Sequence, residues 1–420
     1  MSIGGNGVPW HDQQANASRE NSVMKTKLTP LEAVNRIRDD NHGQVVLVLQ
    51  GGGALGAYQG GVYQALHESG VEPDWIIGTS IGAINASLIA GNAVEDRLSR
   101  VQEFWRRVER SVLRIPGWSE IADALSTWMT LARGIPGFFE TNLRAFLGVQ
   151  VRLGPDQAGY YSTEPLRRTL EELVDFSLIN SGHPRLTLGA AHVRTSMMRY
   201  FDSKEMELGP RHIMASGALP PAFPAVRIDG ELYWDGGILS NTPTERIFDD
   251  HPRRNSLIFA VHLWHPSGPE PETIWQILNR QKDIQYSSRI ASHIMRQLET
   301  HKLRHVIMKL LDYVPEDVKR DPLVKELAGY SCKTRMHVVR LLAPRLERES
   351  HTKDIDFSSA GIFKRWETGY TDTLRALAQQ RWIGEFDPLD GVVLHEPDAG
   401  PTAEQPTLED VAKPQKLAAE

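Results

Sequence analysis

The sequence predicts an α/β fold in which helices flank a mostly parallel central sheet. Residues 44–49 (QVVLVL) form an apolar, β-branched run, which is typical of a strand buried on both faces. Helical spacing of apolar residues follows over 55–66, a second apolar run begins at Asp74, and another helical segment begins at Ile81. Strand, helix, strand and helix in this close succession indicate parallel strands with helices on the faces of the sheet.

The composition is that of an ordinary globular protein, with 40% hydrophobic and 24% charged residues in a chain of 420. A net charge of −6 argues against a nucleic-acid partner. Cys332 is the single cysteine, so we expect no internal disulfide and a reducing, cytoplasmic location. The N-terminus lacks the apolar stretch of a secretory signal. The uncharged run 75–94 is long enough to span a bilayer, but its polar residues and glycines favour a buried strand, turn and helix.

The N-terminal part, residues 1–40, is predicted to be disordered at first and then to form a short amphipathic helix. Thr29 suits the N-cap of this helix, and Pro30 suits its first position. The main α/β domain is expected over 41–265. Within it, the Trp- and Phe-rich stretch 95–160 is predicted to be a mostly helical insertion that serves as a lid or as plain helical core.

The later elements follow the same reasoning. A helix is predicted over 163–174, and strands are predicted over 186–193 and 257–262. Residues 266–390 are expected to form a helix-rich C-terminal region of open role, beginning with one long helix. The Pro-, Glu- and Ala-rich stretch 391–420 is expected to be a disordered tail.

Two glycine-containing motifs follow the first two predicted strands. Gly51, Gly53 and Gly56 spell G-x-G-x-x-G, a pattern that suits either the pyrophosphate of a dinucleotide or a developing oxyanion. Residues 78–82 (GTSIG) spell G-x-S-x-G between a strand and a helix. This is the arrangement of a nucleophile elbow, in which a strained turn lifts the hydroxyl of Ser80 clear of the sheet.

The second strand discriminates between the two interpretations of the first motif. A dinucleotide-binding fold ends this strand with an Asp or Glu that binds the ribose hydroxyls. Asp74 stands at the beginning of the strand instead, and Gly78, Thr79 and Ser80 stand at its end. The glycine loop is therefore expected to hold an oxyanion, and a nucleotide-binding oxidoreductase is disfavoured.

A candidate base for the serine lies at the end of a predicted hairpin. Residues 226–228 and 231–234 are expected to be strands, since an Asp-Gly pair between them favours a two-residue turn. The second strand delivers Asp235 at its end, where Gly236 and Gly237 leave the carboxylate unobstructed. An Asp-Gly-Gly sequence alone indicates no more than a turn, so its weight comes from the other motifs.

The three motifs GGGALG, GTSIGA and DGG, in this order, resemble the signature motifs of the patatin-like acyl hydrolases. The resemblance runs from about residue 45 to about residue 250, and the segment that leads to DGG is also similar to the family. It implies a three-layer patatin-like fold of bacterial type with a helical C-terminal extension. Many members carry Arg or Lys where this chain has Leu55, which leaves the substrate preference open.

By this resemblance Ser80 is the nucleophile and Asp235 is its partner in a Ser-Asp dyad. The implied oxyanion hole draws on the glycine loop and on the residue after the nucleophile: Gly51, Gly52, Gly53 and Ile81. The turns are shaped by the remaining motif glycines: Gly56, Gly78, Gly82, Gly236 and Gly237.

The implied activity is that of a serine acyl hydrolase that cleaves carboxylic ester bonds of lipids. The partner is then a lipid or ester substrate, and no metal or organic cofactor is implied. A carboxylate that titrates near its usual value of about 3.9 is a weak base, so the mechanism predicts a partly desolvated Asp235 with a raised pKa.

Other interpretations stay open beside the hydrolase with a Ser-Asp dyad. One is a Ser-Asp-His triad, although His262 and His265 are interpreted as polar residues at a strand end. Another is a catalytically silent lipid-binding or scaffold protein. A zinc site at His301 and His305 is disfavoured, because Lys302 stands where the zinc-protease pattern needs Glu, and a solvated basic helix face is expected there.

Peripheral membrane contact is a further expectation. The segment 95–121 interleaves six arginines with Phe104, Trp105 and Trp118, as a lipid enzyme does at a membrane surface. Most of this charge is offset by Glu95, Asp96, Glu103 and Glu109, which favour a helix docked on the protein instead. The oligomeric state is left open by the sequence.

Overall fold

The computed structural model describes residues 28–39, 43–110, 134–345 and 352–397. The strands are, in chain order, β1 (Gln44–Leu49), β2 (Trp75–Thr79), β3 (Glu140–Thr141), β4 (Tyr161–Ser162), β5 (Arg185–His192), β6 (Met198–Asp202), β7 (Val226–Ile228), β8 (Glu231–Asp235), β9 (Ser256–His262), β10 (Met336–Leu342) and β11 (Val392–His395).

The helices are α1 (Pro30–Asp39), α2 (Ala57–Glu68), α3 (Ile81–Ala90), α4 (Val94–Val108), α5 (Glu164–Leu173), α6 (Phe176–Asn180), α7 (Pro210–Ser216), α8 (Glu245–Phe248), α9 (Ile274–Leu311), α10 (Pro322–Ala328) and α11 (Ser359–Gln379). Short 3-10 turns occur at Gly53–Gly56, Leu143–Leu147, Gly236–Ile238, Val318–Arg320 and Lys353–Ile355.

The predicted mostly parallel sheet is confirmed. Its strand order is β11-β10-β9-β1-β2-β5-β8-β7, and β6 also pairs with β5. All pairings from β11 to β5 are parallel, whereas β5 pairs antiparallel with β6 and β8, and β7 pairs antiparallel with β8. The parallel part requires a crossover after each strand, and those crossovers supply the helical layers.

The core lies on both faces of the sheet. Along β1, Val45, Leu47 and Leu49 belong to one apolar cluster, and Val46 and Val48 belong to a second cluster on the opposite face. All five are fully buried. Helices therefore cover both faces, which explains why this strand is a continuous apolar run without polar alternation.

Several predicted boundaries agree with the structure. β1 covers the predicted residues, and the Thr29 hydroxyl accepts a hydrogen bond from Glu32 N–H (3.3 Å) at the start of α1. The β7–β8 hairpin turns through Asp229 (φ 50) and Gly230 (φ 85), as the Asp-Gly signal predicts. The run 75–94 divides into β2 and α3, and within the described ranges no helix is both long and apolar enough to cross a membrane.

The mostly helical insertion predicted over 95–160 is wrong for much of its length. α4 covers its beginning, but residues 134–160 run as turns, one 3-10 turn and β3. Gly134 (φ 77) and Gly137 (φ 73) take left-handed conformations, which are incompatible with a regular right-handed helix. Residues 111–133 lie outside the described residues, as does the N-terminal stretch that was expected to be disordered.

The region predicted to be helix-rich over 266–390 contains α9, α10 and α11, and it also adds to the central sheet. β10 and β11 continue the central sheet beyond β9, and α11 packs along α2. β11 lies inside the stretch 391–420 that was expected to be a disordered tail, while residues from 398 onward lie outside the described part. The pairing explains this result. β9 and β11 pair with the two edges of the buried strand β10, so neither edge of β10 is left without a partner.

Candidate active site

Ser80 occupies the turn between β2 and α3 and has a strained backbone. Its φ of 56° and ψ of −125° are rare for a residue with a side chain. A Cβ at Gly78 would lie 2.4 Å from the carbonyl oxygen of Gly82, and a Cβ at Gly82 would lie 2.2 Å from that of Leu49. Both glycines are therefore needed for the tight crossing that presents the serine at the carboxyl end of the sheet.

Asp235 reaches the same edge of the sheet from the opposite chain direction. β2 and β5 pair Thr79 with Gly189, and the antiparallel β8 pairs Asp235 with Ala190, the next residue of β5. A Cβ at Gly236 would lie 2.4 Å from the Gly189 carbonyl oxygen, so a side chain there would push the carboxylate away. The β5 strand thus joins two residues that are 155 positions apart in the sequence.

The environment of Asp235 raises the pKa of its carboxyl to about 6. Burial is the main cause, since only 2% of the residue is exposed. Hydrogen bonds from the Ser80 hydroxyl and from Gly237 N–H (2.7 Å) favour the charged form and oppose this rise. The sequence analysis predicted a partly desolvated carboxylate, and the burial of Asp235 agrees with that prediction.

The glycine loop after β1 offers backbone N–H groups beside Ser80. Gly52 and Gly53 precede the first hydrogen bond of their 3-10 turn, donated by Leu55 N–H to Gly52 O, so their own N–H groups have no partner within that turn. Ile81 N–H likewise opens α3. Gly51 differs from the expectation, because its N–H already donates to Asn241 O (3.3 Å). We therefore remove Gly51 from the set of oxyanion donors.

Side-chain donors hold the carbonyl groups of this loop. The Gly51 carbonyl accepts from Trp264 Nε1 (2.8 Å) and from Asn241 Nδ2 (3.1 Å). Gln59 Nε2 donates to the Gln50 carbonyl (2.6 Å). These bonds fix the orientation of the peptide planes, and with it the direction in which the loop N–H groups point.

Asn85 extends this buried network to the next helix. Its Nδ2 donates to Gly56 O (3.1 Å) and to Gln59 Oε1 (2.9 Å), and its Oδ1 accepts from Trp105 Nε1 (3.0 Å). The sequence analysis missed this network. The available signal was the placement of Gln59 and Asn85 at core positions of two apolar helices, where an amide requires hydrogen-bond partners.

A cavity of about 170 Å³ opens beside these groups. Ser80, Asp235 and the glycine loop line this cavity. The rest of the wall is mostly apolar and includes Ile84, Phe138, Phe139, Tyr161, Leu166, Met214, Leu219, Ala222, Phe223, Ile355 and Phe357. A mostly apolar pocket with few polar groups favours a ligand with an apolar tail and one polar reacting group.

The chain beyond residue 265, which was assigned no role from the sequence, contributes to this wall. Tyr286 from α9 and residues Asp354, Ile355 and Phe357 line the cavity. The carbonyl oxygen of Asp354 lies only 2.2 Å from the position of a Cβ on Gly53. The group that the absence of a side chain at Gly53 allows to come close is therefore the backbone carbonyl of Asp354.

The dinucleotide interpretation finds no support in this geometry. The Asp74 carboxylate accepts a hydrogen bond from Val45 N–H (2.7 Å) at the amino end of the sheet and pairs with Arg38 (3.2 Å). An acidic group at that edge is remote from the glycine loop, which follows the carboxyl end of β1.

No histidine lines the cavity in the part of the chain that the structure describes. His262 ends β9, as interpreted, and burial lowers its pKa well below the usual value. The solvated face expected at His301 and His305 is wrong, since these residues are 0% and 7% exposed. His305 contacts the carbonyl oxygens of Thr334 and Pro388, and the described residues hold no group of three or more side chains suited to a metal.

The segment expected to touch a membrane is partly accounted for by packing. Phe104 and Trp105 of α4 are 0% and 2% exposed, so they belong to the core rather than to a lipid-facing surface. Trp118 lies outside the described residues. A docked helix, the alternative raised from its acidic residues, is what α4 forms.

Comparison with known proteins identifies the family of the chain. Residues 47–248 match a family model described as patatin-like phospholipase, and residues 284–389 match a second model described as patatin phospholipase. The chain belongs to the patatin-like phospholipase family. The second match falls on the C-terminal part that completes the sheet and the cavity wall.

The individual relatives are more distant. The chain is 28% identical to an NTE family protein of Mycobacterium tuberculosis over 47% of this chain and 27% of the relative. It is 49% identical to a lysophospholipase of Aspergillus terreus over 15% of this chain and 4% of the relative. The crystal structure of VipD from Legionella pneumophila aligns with 84% of this chain and 72% of VipD, at 16% identity and a TM-score of 0.35. The chain spans 27% or less of the length of the curated relatives it matches.

Proposed function

We propose that this protein hydrolyses carboxylic ester bonds of lipids through a Ser-Asp dyad formed by Ser80 and Asp235. The observation that carries the proposal is that Ser80, the buried carboxylate of Asp235 and the glycine loop line one mostly apolar cavity together. Membership of a phospholipase family supports the same reaction class.

Acylation begins when the Ser80 oxygen attacks the ester carbonyl carbon and its proton passes to Asp235. A carboxylate with a pKa of about 6 is a stronger base than an exposed one, which makes this transfer easier. The carbonyl oxygen gains a negative charge, and the N–H groups of Gly52, Gly53 and Ile81 form the proposed oxyanion hole. Losing one such donor typically raises the barrier by about 2.7 to 4 kcal/mol.

The tetrahedral intermediate collapses when the bond to the alcohol oxygen breaks and Asp235 returns its proton to that oxygen. The acyl group is then held as an ester of Ser80. A water molecule attacks this ester while Asp235 removes its proton, and the fatty acid leaves as Ser80 regains a hydrogen. One carboxylate thus serves both half-reactions, which requires only that it alternate between its two protonation states.

The proposed substrate class is lipid esters rather than small polar esters. The cavity wall carries aromatic and aliphatic side chains from several elements, which suit an acyl chain next to the reacting carbonyl. A relative in Aspergillus terreus bears the name lysophospholipase, which agrees with this class.

Labelling with a fluorophosphonate probe tests the nucleophile. The purified protein is treated with the probe, digested and analysed by mass spectrometry, in parallel with Ser80→Ala. We expect modification of the peptide that contains Ser80 and none in the variant. A folded wild-type protein that takes up no probe would favour a lipid-binding protein without catalysis.

A second comparison tests the base. Asp235→Asn is expected to lower kcat for a soluble p-nitrophenyl ester by about 10²- to 10⁴-fold, the usual contribution of a general base. Asp229→Asn is the matched control, because Asp229 is an exposed residue of the same hairpin at a left-handed turn position that Asn accepts. Equal kcat values for the two variants would contradict the dyad.

A further inference from the structure

An exposed apolar loop stands beside the cavity and has no role in the proposed chemistry. Leu143, Leu147 and Val149 are 78%, 76% and 88% exposed, and Phe146 is 59% exposed. Four large apolar side chains held in water within seven residues are unusual for a soluble surface, where such residues are scattered singly. We call residues 143–152 the apolar loop.

Both stems of the apolar loop are walls of the cavity. Phe139, which lines the cavity, directly precedes β3, and Tyr161 of β4 lines it on the other side. β3 and β4 pair with each other, and Asn142 N–H donates to Tyr160 O (2.9 Å). The loop therefore projects from the rim of the cavity, and whatever surface it contacts is brought next to the cavity.

The charge of the apolar loop is positive. Arg144 and Arg152 are both exposed, and the sequence from 143 to 155 contains no acidic residue. The next acidic residue, Asp156, pairs with Arg227 (3.4 Å). Apolar side chains flanked by arginines fit the surface of an anionic bilayer, where the apolar groups enter the acyl region and the guanidinium groups meet phosphates.

We infer that the apolar loop docks the protein on anionic lipid bilayers. Leu143, Phe146, Leu147 and Val149 insert below the headgroups, and Arg144 and Arg152 bind lipid phosphates. The interpretation of this contact as a route for substrate rests on the proposed function, but the binding itself does not. The inference also places the membrane contact on the apolar loop and not on the segment 95–121, where the sequence analysis expected it.

Sedimentation with vesicles tests the inference. The full chain is mixed with vesicles of phosphatidylcholine alone and with vesicles that also contain phosphatidylglycerol. The double variant Leu147→Ser/Val149→Ser is expected to lower the partition coefficient on both vesicles by about tenfold or more. Arg144→Gln/Arg152→Gln is expected to lower it by more than about tenfold on anionic vesicles only.

Leu323→Ser is the matched control, because Leu323 is a similarly exposed leucine (62%) on a different element, α10. It should bind vesicles as the wild type does, and so should Ser80→Ala, which separates docking from catalysis. Hydrolysis of a soluble ester should be unchanged in the loop variants, since none of the replaced residues lines the cavity.

Three outcomes would overturn the inference. The first is that the wild type binds neither kind of vesicle, and the second is that the loop variants and the Leu323 variant lose vesicle binding equally. The third is that the wild type is a dimer which the loop substitutions dissociate without changing vesicle binding. The last result would assign the loop to contact with a second copy of the chain. Loss of soluble-ester hydrolysis in Ser80→Ala with intact vesicle binding would support both proposals. A wild type that binds vesicles but is not modified by the fluorophosphonate probe would remove only the catalytic proposal.

Discussion

At Asp235, two environmental effects on the carboxyl group oppose each other. Burial favours the neutral acid, while two hydrogen bonds favour the carboxylate, and the pKa settles at about 6. This value suits a group that must accept and return a proton near neutral pH. The sequence predicted which residue holds this place, but the pKa depends on surrounding atoms that lie far apart in the chain.

The pH dependence of hydrolysis follows from this pKa. Only the deprotonated carboxylate can accept the serine proton, so kcat/KM should fall about tenfold for each pH unit below about 6. Above that pH it should level off. The measurement is kcat/KM for a soluble p-nitrophenyl ester between about pH 4.5 and 8, with circular dichroism as the control for folding. A flat profile down to about pH 5 would contradict the assignment of Asp235 as the base.

Asp235→Asn should stabilise the protein in a pH-dependent manner. Because the folded-state pKa is above the unfolded value, the folded state binds more protons between about pH 4 and 6, and stability falls as pH rises through this window. Asn removes that loss, so the variant should gain about 3 kcal/mol relative to the wild type above about pH 7 and little below about pH 4. Urea unfolding at both pH values measures it. A pH-independent difference would contradict the raised pKa.

At the scale of elements, the turns at the carboxyl ends of the strands decide the site. The elbow depends on Gly78 and Gly82, whose missing side chains let α3 cross close to β1 and β2. Gly53 has a φ of 55° and receives the carbonyl of Asp354 where a Cβ would stand. The motif glycines were identified from the sequence, but the atoms they make room for were identified only in the structure.

Gly53→Ala should therefore damage the site more than its backbone conformation alone explains. A side chain at φ 55° costs about 1–2 kcal/mol, and the Cβ would also force Asp354 or the glycine loop to move. If that movement misplaces one oxyanion donor, kcat falls by about 10²- to 10³-fold. The measurement is kcat on a soluble ester together with urea unfolding.

Gly182→Ala provides the control for this prediction. Gly182 has a φ of 85° and no atom within 4 Å of an added Cβ, so the substitution introduces only the backbone cost. It should lower stability modestly and leave kcat within about twofold of the wild type. If both variants lost kcat equally, the contact between Gly53 and Asp354 would have no part in catalysis.

At the scale of the whole molecule, the C-terminal part is joined to the site by buried charges. Lys353 Nζ contacts Asp283 Oδ1 (2.8 Å), and both side chains are 2% exposed. Arg345 also reaches Asp283 (3.3 Å), and Lys353 lies over the ring of Trp264 at 5.2 Å. These contacts tie α9 to the 3-10 turn Lys353–Ile355, which abuts the glycine loop.

Lys353→Met should strongly destabilise the protein, because it leaves Asp283 buried with a reduced set of cationic partners. Removing one partner of a buried pair typically costs about 3–5 kcal/mol. The double variant Lys353→Met/Asp283→Leu should recover part of this loss, since it removes both charges of the pair. Lys319→Met, in an ion pair whose Glu316 partner is 82% exposed, should change stability by less than about 1 kcal/mol. Equal effects of Lys353→Met and Lys319→Met in urea unfolding would contradict this account.

The sequence by itself determined the parallel α/β fold, the bounds of β1 and the hairpin, and the motifs that contain Ser80 and Asp235. These features depend on local patterns, namely apolar runs, turn residues and the spacing of glycines. Only the tertiary structure decided that Gly51 N–H is occupied, that β10 and β11 complete the sheet, and that Asp354 closes against Gly53. The physical reason is that hydrogen-bond satisfaction and close packing depend on residues that are brought together only by folding, whereas strand and turn propensity is present in each short segment.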